Sequence, residues 1–202
     1  MKKPLSKPLY FLEGVFPTTT ALQEQLTNLP LTDCSDIDLK KSIRAIAFRS
    51  ETGKMTNLYR SSTPEDYSLH TDTRLMKYYP AITSIIEQID VPKGRVRVFA
   101  QRPQARTKLH LDLDNVGITN YDEYQYRLWI PLSDTPKAIY VFTYGSNKFV
   151  YSPKPGDMFV FDPDVVLHGG RNLDTKTRYS LHVNCKSSEW LERLVNGGTR
   201  RD

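Results

Sequence analysis

Cysteine and histidine are scarce in this chain. Of 202 residues, two are cysteine, Cys34 and Cys185, and four are histidine. Two cysteines cannot form a disulfide framework, so both read as small buried hydrophobes in a reducing compartment. No apolar run is long enough to span a bilayer. The opening MKKPLSKPLYFLEG is broken by prolines and followed by acid, so it lacks the apolar stretch of a signal peptide. No repeat or low-complexity tract is visible. Dense basic runs are missing too: only MKKP and TRRD cluster cations, and they read as solvated termini rather than a nucleic-acid footprint, despite a net charge of +5. These absences predict a soluble, cytoplasmic protein with no membrane segment. With 39% hydrophobic and 25% charged residues the chain is globular, and its length suits one domain over residues 1–202 that buries a core without staples.

The N-terminal part reads as support for that core and a substrate lid (1–93). LYFL (9–12) suggests a short strand. Residues 19–29 carry Leu22, Leu26 and Leu29 on one face behind a threonine cap, a short amphipathic helix. SIRAIAFR (42–49) is a weak strand signal, and 50–72 read as polar loop. Residues 80–89 begin with Pro80 and align Ile82, Ile85, Ile86 and Ile89, a helix with proline in its first turn. From Gly94 to residue 186 the texture is β: 95–101, 107–113, 124–132, 138–144, 148–152, 157–161 and 178–185 all read as strands. Gly145-Ser146-Asn147 marks a hairpin and Lys154-Pro155-Gly156-Asp157 a turn. SSEWLERLV (187–195) opens a C-terminal helix and tail. Many short strands behind two helices predict a mainly β sandwich or barrel with flanking helices.

HLDLDN (110–115) is the anomaly. Residues two apart share a strand face, so His110, Asp112 and Asp114 point one way while Leu109, Leu111 and Leu113 point into apolar packing. A histidine and a carboxylate aimed at one point need a third donor to hold a metal. His168, 56 residues after Asp112 in FDPDVVLHGG, is the best candidate, with two glycines behind it to let the backbone turn; His182 is the competing one. Two histidines and one carboxylate on one face of an octahedron suit non-haem Fe(II) and leave three positions open. Ten residues on, Arg178, Ser180, His182 and Asn184 share the polar face of RYSLHVNC, while Tyr179, Leu181, Val183 and Cys185 face the core. An arginine grips a carboxylate through paired charge-assisted hydrogen bonds and Ser180 adds a hydroxyl. The implied ligand is a diacid, one end on iron and the other on Arg178 and Ser180.

HLD, a distal His168 and RYS ten residues later resemble the Fe(II)- and 2-oxoglutarate-dependent oxygenases, over roughly residues 94–186. YRLWIPL and PGDMFVFDPDVVLHGGRN are most similar to the aspartyl/asparaginyl β-hydroxylase group, which includes small bacterial hydroxylases of free amino acids such as proline. The resemblance implies a double-stranded β-helix (jelly-roll, cupin-like) with the metal at one open end. It implies Fe(II) and 2-oxoglutarate as cofactors, with ascorbate as the accompanying reductant, and dioxygen and a small molecule as partners. It also implies oxidative decarboxylation to succinate and CO2, coupled to hydroxylation of an unactivated C–H of an amino-acid-like substrate. Peptidyl-aspartate hydroxylases of the group lack the metal carboxylate. Asp112 is present here, which favours the free-amino-acid branch or a further branch of the group, and weakens a halogenase reading.

Further site residues follow from strand faces and loops. Gln125, Arg127 and Trp129 share one face of YQYRLWIP; in the resembling group this strand contributes a polar side chain to 2-oxoglutarate, so Gln125 or Arg127 is expected to do so, with Trp129 beside the substrate. Arg102, Asp114, Asn115, Arg171 and His182 are candidate substrate contacts, with Arg106 sharing the loop of Arg102. Arg95 and Arg97, extended by Gln101, read as a solvated face and His70 as a surface histidine. Tyr78, Tyr79, Tyr121, Tyr124 and Tyr126 read as packing. The alternatives are a peptidyl Asp/Asn-type hydroxylase, a nucleic-acid demethylase and a metal-free jelly-roll binding module. The demethylase pattern wants a second arginine six residues after the first, where Asn184 stands; intact metal ligands oppose the binding module.

Overall fold

A computed structural model describes residues 5–34, 43–56, 70–112 and 125–197. Strands dominate them, and every strand pair is antiparallel. Eight of these strands form the core: β5 (Lys93–Gln101), β6 (Arg106–His110), β7 (Gln125–Pro131), β8 (Ala138–Tyr144), β9 (Asn147–Tyr151), β10 (Met158–Phe161), β11 (Leu167–Asn172) and β12 (Arg178–Lys186). They divide between two sheets. The small sheet runs β6-β11-β8-β9. The large one contains β10-β7-β12-β5, extended by β1 (Leu9–Leu12) beside β10 and by β3 (Ile43–Ser50), β2 (Thr32–Asp33) and β4 (Thr71–Asp72) beyond β5. The chain passes repeatedly from one sheet to the other, which is the jelly-roll connectivity of a double-stranded β-helix.

Side-chain alternation on the large sheet separates two environments. Its outer face carries Val96, Val98, Leu128, Ile130, Leu181 and Val183. These pack with Leu22 and Leu26 of α1 (Thr20–Thr27), Ile82, Ile85 and Ile86 of α3 (Pro80–Gln88), and Leu191 and Val195 of α4 (Glu189–Gly197) in the main core. Each such side chain contributes about 1.5–3 kcal/mol on burial. The helix boundaries follow local chemistry. The Thr19 hydroxyl accepts from the Leu22 N–H, Pro80 occupies the first turn of α3, and the Ser188 hydroxyl accepts from the Leu191 N–H. Between the sheets lies an aromatic cluster of Phe11, Trp129, Tyr140, Phe142, Phe159 and Phe161. Cys34 and Cys185 are not joined in a disulfide and are fully buried, as small hydrophobes should be. Among the described residues no helix is long and apolar enough to cross a membrane.

Several elements differ from their sequence reading. LHGGRN is not a turn but strand β11, paired on both sides. Its glycines serve close packing: a Cβ at Gly169 would lie 2.9 Å from the Lys108 carbonyl oxygen. Strand β6 stops at His110, so Asp112 lies just past its end, tied by its N–H to the Pro163 carbonyl. Leu109 does not enter a core; it is exposed, as are Leu167 on β11 and Val150 on β9, because the helices cover the large sheet and not the outer face of the small one. Within 50–72, Thr71–Asp72 pair with β3, and the short helix α2 (Leu75–Tyr78) follows. His70 is buried rather than on the surface, and Tyr78 is exposed whereas Tyr126 is packed. Leu113, Asp114, Asn115, Tyr121 and Tyr124 lie outside the described residues.

The Lys154–Asp157 turn locks β10 to the N-terminal segment. Asp157 accepts from the N–H groups of Lys154 and Gly14, and the Phe16 N–H donates to the Gly156 carbonyl. Gly156 has φ +88°, and a Cβ there would lie 2.0 Å from the Phe16 carbonyl oxygen. Gly145, in the β8–β9 hairpin, has φ +58° but nothing within 4 Å. Gly145→Ala is therefore expected to cost about 1–2 kcal/mol of backbone strain alone. Gly156→Ala is expected to cost more, since the Phe16 backbone must also move; urea-denaturation midpoints of the two variants check the order.

Candidate metal centre

Strand register brings distant residues together. His168 on β11 lies directly opposite His110 on β6, 58 positions apart in the chain. Their ring centroids are 4.5 Å apart. Asp112 completes the group: its Oδ1 is 3.4 Å from His110 Nε2 and its Oδ2 is 3.5 Å from His168 Nε2. All three donor atoms lie within 4.8 Å of one another. In an octahedron with bonds of about 2.1 Å, adjacent donors are about 3 Å apart, so small side-chain adjustments would seat an ion.

Both imidazoles are oriented by the main chain. His110 Nδ1 meets the Lys108 carbonyl at 2.9 Å, and His168 Nδ1 meets the Val166 carbonyl at 2.9 Å. A carbonyl only accepts, so each Nδ1 carries a proton, and each Nε2 is left as the ring nitrogen that faces Asp112 and that the neutral imidazole can offer to a metal. His168 is fully buried and its Nε2 has no hydrogen-bond partner. A buried lone pair left unpaired is costly, and a divalent cation would resolve it. The set of two imidazoles and a carboxylate fits non-haem iron.

The carboxylate is held in the ionised form that a ligand needs. Burial pushes the Asp112 carboxyl up, but the Arg127 guanidinium paired with it, together with His110 and His168, outweighs burial and holds it well below the usual range. The hydrogen bond to Asp112 raises the His110 imidazole, while burial lowers that of His168 and keeps it neutral. Arg127 was expected to reach a dicarboxylate; its guanidinium is instead on Asp112, although it lines the cavity. Gln125 is the first residue of β7, and its side chain lies outside the described set.

The centre opens into a cavity of about 180 Å³ between the sheets. Arg178, Ser180, His182 and Trp129 line it, as strand parity predicts. Arg178 is 6% exposed. Its Nη1 donates to the Ile139 carbonyl at 3.2 Å, and the guanidinium lies 4.2 Å from the Tyr140 ring centroid. Burial pulls it down from its ordinary value, with Tyr140 opposing. Among the described residues no carboxylate pairs with it. Gly170 makes room: a Cβ there would lie 3.0 Å from Arg178 Nη1.

His182 is not a third donor. Its Nε2 is bonded to the Ser180 hydroxyl at 2.9 Å, and its ring stacks on Trp129 with centroids 4.6 Å apart. Burial, then Arg97, Arg127 and Arg178 around it, hold it well below its ordinary value and neutral.

Arg102 and Arg171 do not line the cavity. Arg102 is exposed and sits 3.7 Å from Asp33; Arg171 and Arg106 face solvent. Conversely, Arg95 and Arg97 are buried and line the cavity, not a solvated face, as do Gln101 and Thr107. Shared parity with Arg97 on β5 was the signal for Gln101. Thr107 was not singled out in the sequence; its hydroxyl accepts from the Gly170 N–H at 2.8 Å.

No family model matches the sequence, and no curated protein matches it. Solved structures do. An oxidoreductase of the 2OG-Fe(II) oxygenase family from Burkholderia pseudomallei superposes with a TM-score of 0.59 at 13% identity, covering 89% of this chain and 84% of that one. A Pseudomonas putida prolyl-4-hydroxylase gives 0.54 at 10% identity, covering 91% and 94%. HygX from Streptomyces hygroscopicus, solved with nickel and 2-oxoglutarate, gives 0.52 at 10% identity, covering 90% and 84%. At these identities the likeness establishes the double-stranded β-helix fold.

The geometry predicts that His168→Ala lowers affinity for Mn(II), a redox-quiet probe, by at least about 100-fold, beyond what loss of an outer partner costs. His182→Ala should leave it within a few-fold. Titration followed by electron paramagnetic resonance checks both; the reverse order would make His182 the third donor.

Proposed function

We propose that this chain is an Fe(II)- and 2-oxoglutarate-dependent dioxygenase that hydroxylates an unactivated C–H bond of a small, amino-acid-like substrate. One observation carries the reading. A single cavity holds three converging metal donors and, a few residues away, a buried guanidinium with no acidic partner among the described residues. A buried cation needs an anion, and a diacid that also chelates the metal satisfies both features at once. The fold neighbours support it: one belongs to the 2OG-Fe(II) oxygenase family, and another holds nickel and 2-oxoglutarate.

In this reading His110, Asp112 and His168 hold the ion through Nε2, a carboxylate oxygen and Nε2. Arg127 keeps Asp112 ionised and oriented. Arg178 would grip the distal carboxylate of 2-oxoglutarate, and Ser180, on the same face of β12, would donate its hydroxyl. Ser180 can donate because His182 is neutral and its Nε2 can release that hydrogen bond. Trp129, edge-on to His168 at 5.1 Å and stacked on His182, walls the centre from the aromatic cluster and excludes water from that side. Bound iron and 2-oxoglutarate supply the oxidising chemistry: dioxygen and 2-oxoglutarate become succinate, CO2 and the oxygen atom inserted into the substrate C–H.

Within this class the chain is most like the aspartyl/asparaginyl β-hydroxylase group, on YRLWIPL, PGDMFVFDPDVVLHGGRN and the ten-residue interval from His168 to Arg178. Retention of Asp112 favours its small-molecule branch over peptide hydroxylation. Arg178→Ala is expected to raise the 2-oxoglutarate concentration for half-saturation by about 10- to 100-fold, the value of one or two charge-assisted hydrogen bonds, while Mn(II) affinity stays intact. Asp112→Ala is expected to abolish succinate formation. An Arg178→Ala protein with unchanged 2-oxoglutarate dependence would remove the diacid from this pocket.

A further inference from the structure

The arginines that line the cavity are not equivalent. Arg127 is paired with Asp112, and Arg97 Nη2 is 3.4 Å from the Asn184 side-chain oxygen. Arg178 rests on the Ile139 carbonyl and the face of Tyr140, and its buried Nε has no hydrogen-bond partner. The residue beside it carries the complementary defect. Gln101 on β5 is the cross-strand neighbour of Arg178 on β12. It is 2% exposed, and neither its Nε2 nor its Oε1 has a hydrogen-bond partner. Both side chains line the cavity.

Unpaired polar atoms at such depth are a standing cost to the fold. Two of these three complement each other. Cross-strand neighbours hold their Cβ atoms about 4.5–5.5 Å apart, and the glutamine Oε1 and the arginine Nε stand the same number of bonds from their Cα atoms. One accepts and the other donates, so a rotation of the amide joins them. The amide nitrogen is then left as a donor. The polar groups around it are committed elsewhere. The Thr107 hydroxyl is bonded to the Gly170 N–H and carbonyl, and the Asn172 amide donates to the Gln101, Arg102 and Lys176 carbonyls. The acceptor for Gln101 Nε2 has to come from a ligand.

The chemistry of the position selects an amide. A carboxylate here would pair with Arg178 inside the fold and close the site to anions. An apolar side chain would leave the Arg178 Nε unpaired and add no donor. A carbonyl oxygen fixes the guanidinium plane without cancelling its charge.

We propose, resting on the reading of the preceding subsection, that Gln101 is a specificity-determining residue of the diacid site. Its Oε1 holds Arg178 by Nε, and its Nε2 donates to the distal carboxylate of 2-oxoglutarate. That carboxylate is then received by Arg178 and Ser180 from β12 and by Gln101 from β5. A keto acid without it leaves the Gln101 nitrogen unpaired. Gln101 therefore acts on the choice between dicarboxylic and monocarboxylic keto acids, and not on metal affinity.

The test uses the full chain loaded with Mn(II), titrated calorimetrically with 2-oxoglutarate and with 2-oxopentanoate, which has a methyl group in place of the distal carboxylate. Wild type is expected to prefer 2-oxoglutarate by at least about tenfold. Gln101→Met, close to glutamine in shape, is expected to bind 2-oxoglutarate about tenfold more weakly, with 2-oxopentanoate and Mn(II) affinities within about threefold of wild type. Gln101→Glu is expected to lose at least about 100-fold for 2-oxoglutarate, because its own carboxylate occupies Arg178. Its 2-oxopentanoate affinity stays within about threefold and its Tm is unchanged or higher. A purely structural role would instead lower Tm and weaken both keto acids together. A Gln101→Met protein that keeps its 2-oxoglutarate affinity within about twofold overturns the proposal. So does a loss shared equally by the two keto acids, or a Gln101→Glu protein that still prefers the diacid as wild type does. Wild type that takes up no 2-oxoglutarate, or binds both keto acids alike, overturns the preceding reading, and this one with it.

Discussion

The site depends on one ladder. β6 and β11 pair antiparallel so that His110 and His168 become direct neighbours across the strands, and each ring is pinned by a backbone carbonyl two residues before it. A slip of one residue would turn one imidazole to the opposite face. The glycines of β11 permit this pairing. Gly169 lets the β6 backbone approach, and Gly170 clears space for the Arg178 guanidinium. A strand with poor β propensity is thus held at the centre of the chemistry by its two neighbours, β6 and β8.

The large sheet supplies the rest through its two faces. Outward, Val96, Leu128, Leu181 and their neighbours bury against three helices. Inward, the same strands present Arg127, Trp129, Arg178, Ser180 and His182 to the cavity. The apolar face stabilises the strands that carry the polar one, which places functional groups on rigid elements rather than loops. The polar face weakens the fold in exchange: Gln101, His168 and Trp129 each hold a buried polar atom without a partner. Such groups mark where stability was given up for binding.

Much of this was legible in the sequence because strand parity is a strong signal. The alternation in RYSLHVNC separated cavity from core correctly, and YRLWIP placed Arg127 and Trp129 on the inner face. The same rule misled where a strand face was polar but internal. Arg95 and Arg97 read as solvated because arginine is seldom buried, and only the register with β12 shows that they look inward. LHGGRN carried no strand signal, since its glycines answer to neighbouring backbones that no local pattern reveals. The leucines of HLDL suggested a buried face, yet the uncovered outer face of the small sheet leaves Leu109 exposed. Arg102 and Arg171 looked like substrate contacts from chain proximity to the ligands; the β5–β6 loop and the outer face of the small sheet carry them elsewhere.

In the proposed reading three side chains meet around one iron beside a guanidinium that grips a diacid. Anaerobic titration of the metal-free protein with Fe(II) in the presence of 2-oxoglutarate tests it directly, because an α-keto acid chelated to Fe(II) gives a visible charge-transfer band. The expected band saturates at one iron and one 2-oxoglutarate per chain and is lost in Asp112→Ala. A wild-type protein that develops no band, or an Asp112→Ala protein that develops it undiminished, would rule out this metal centre.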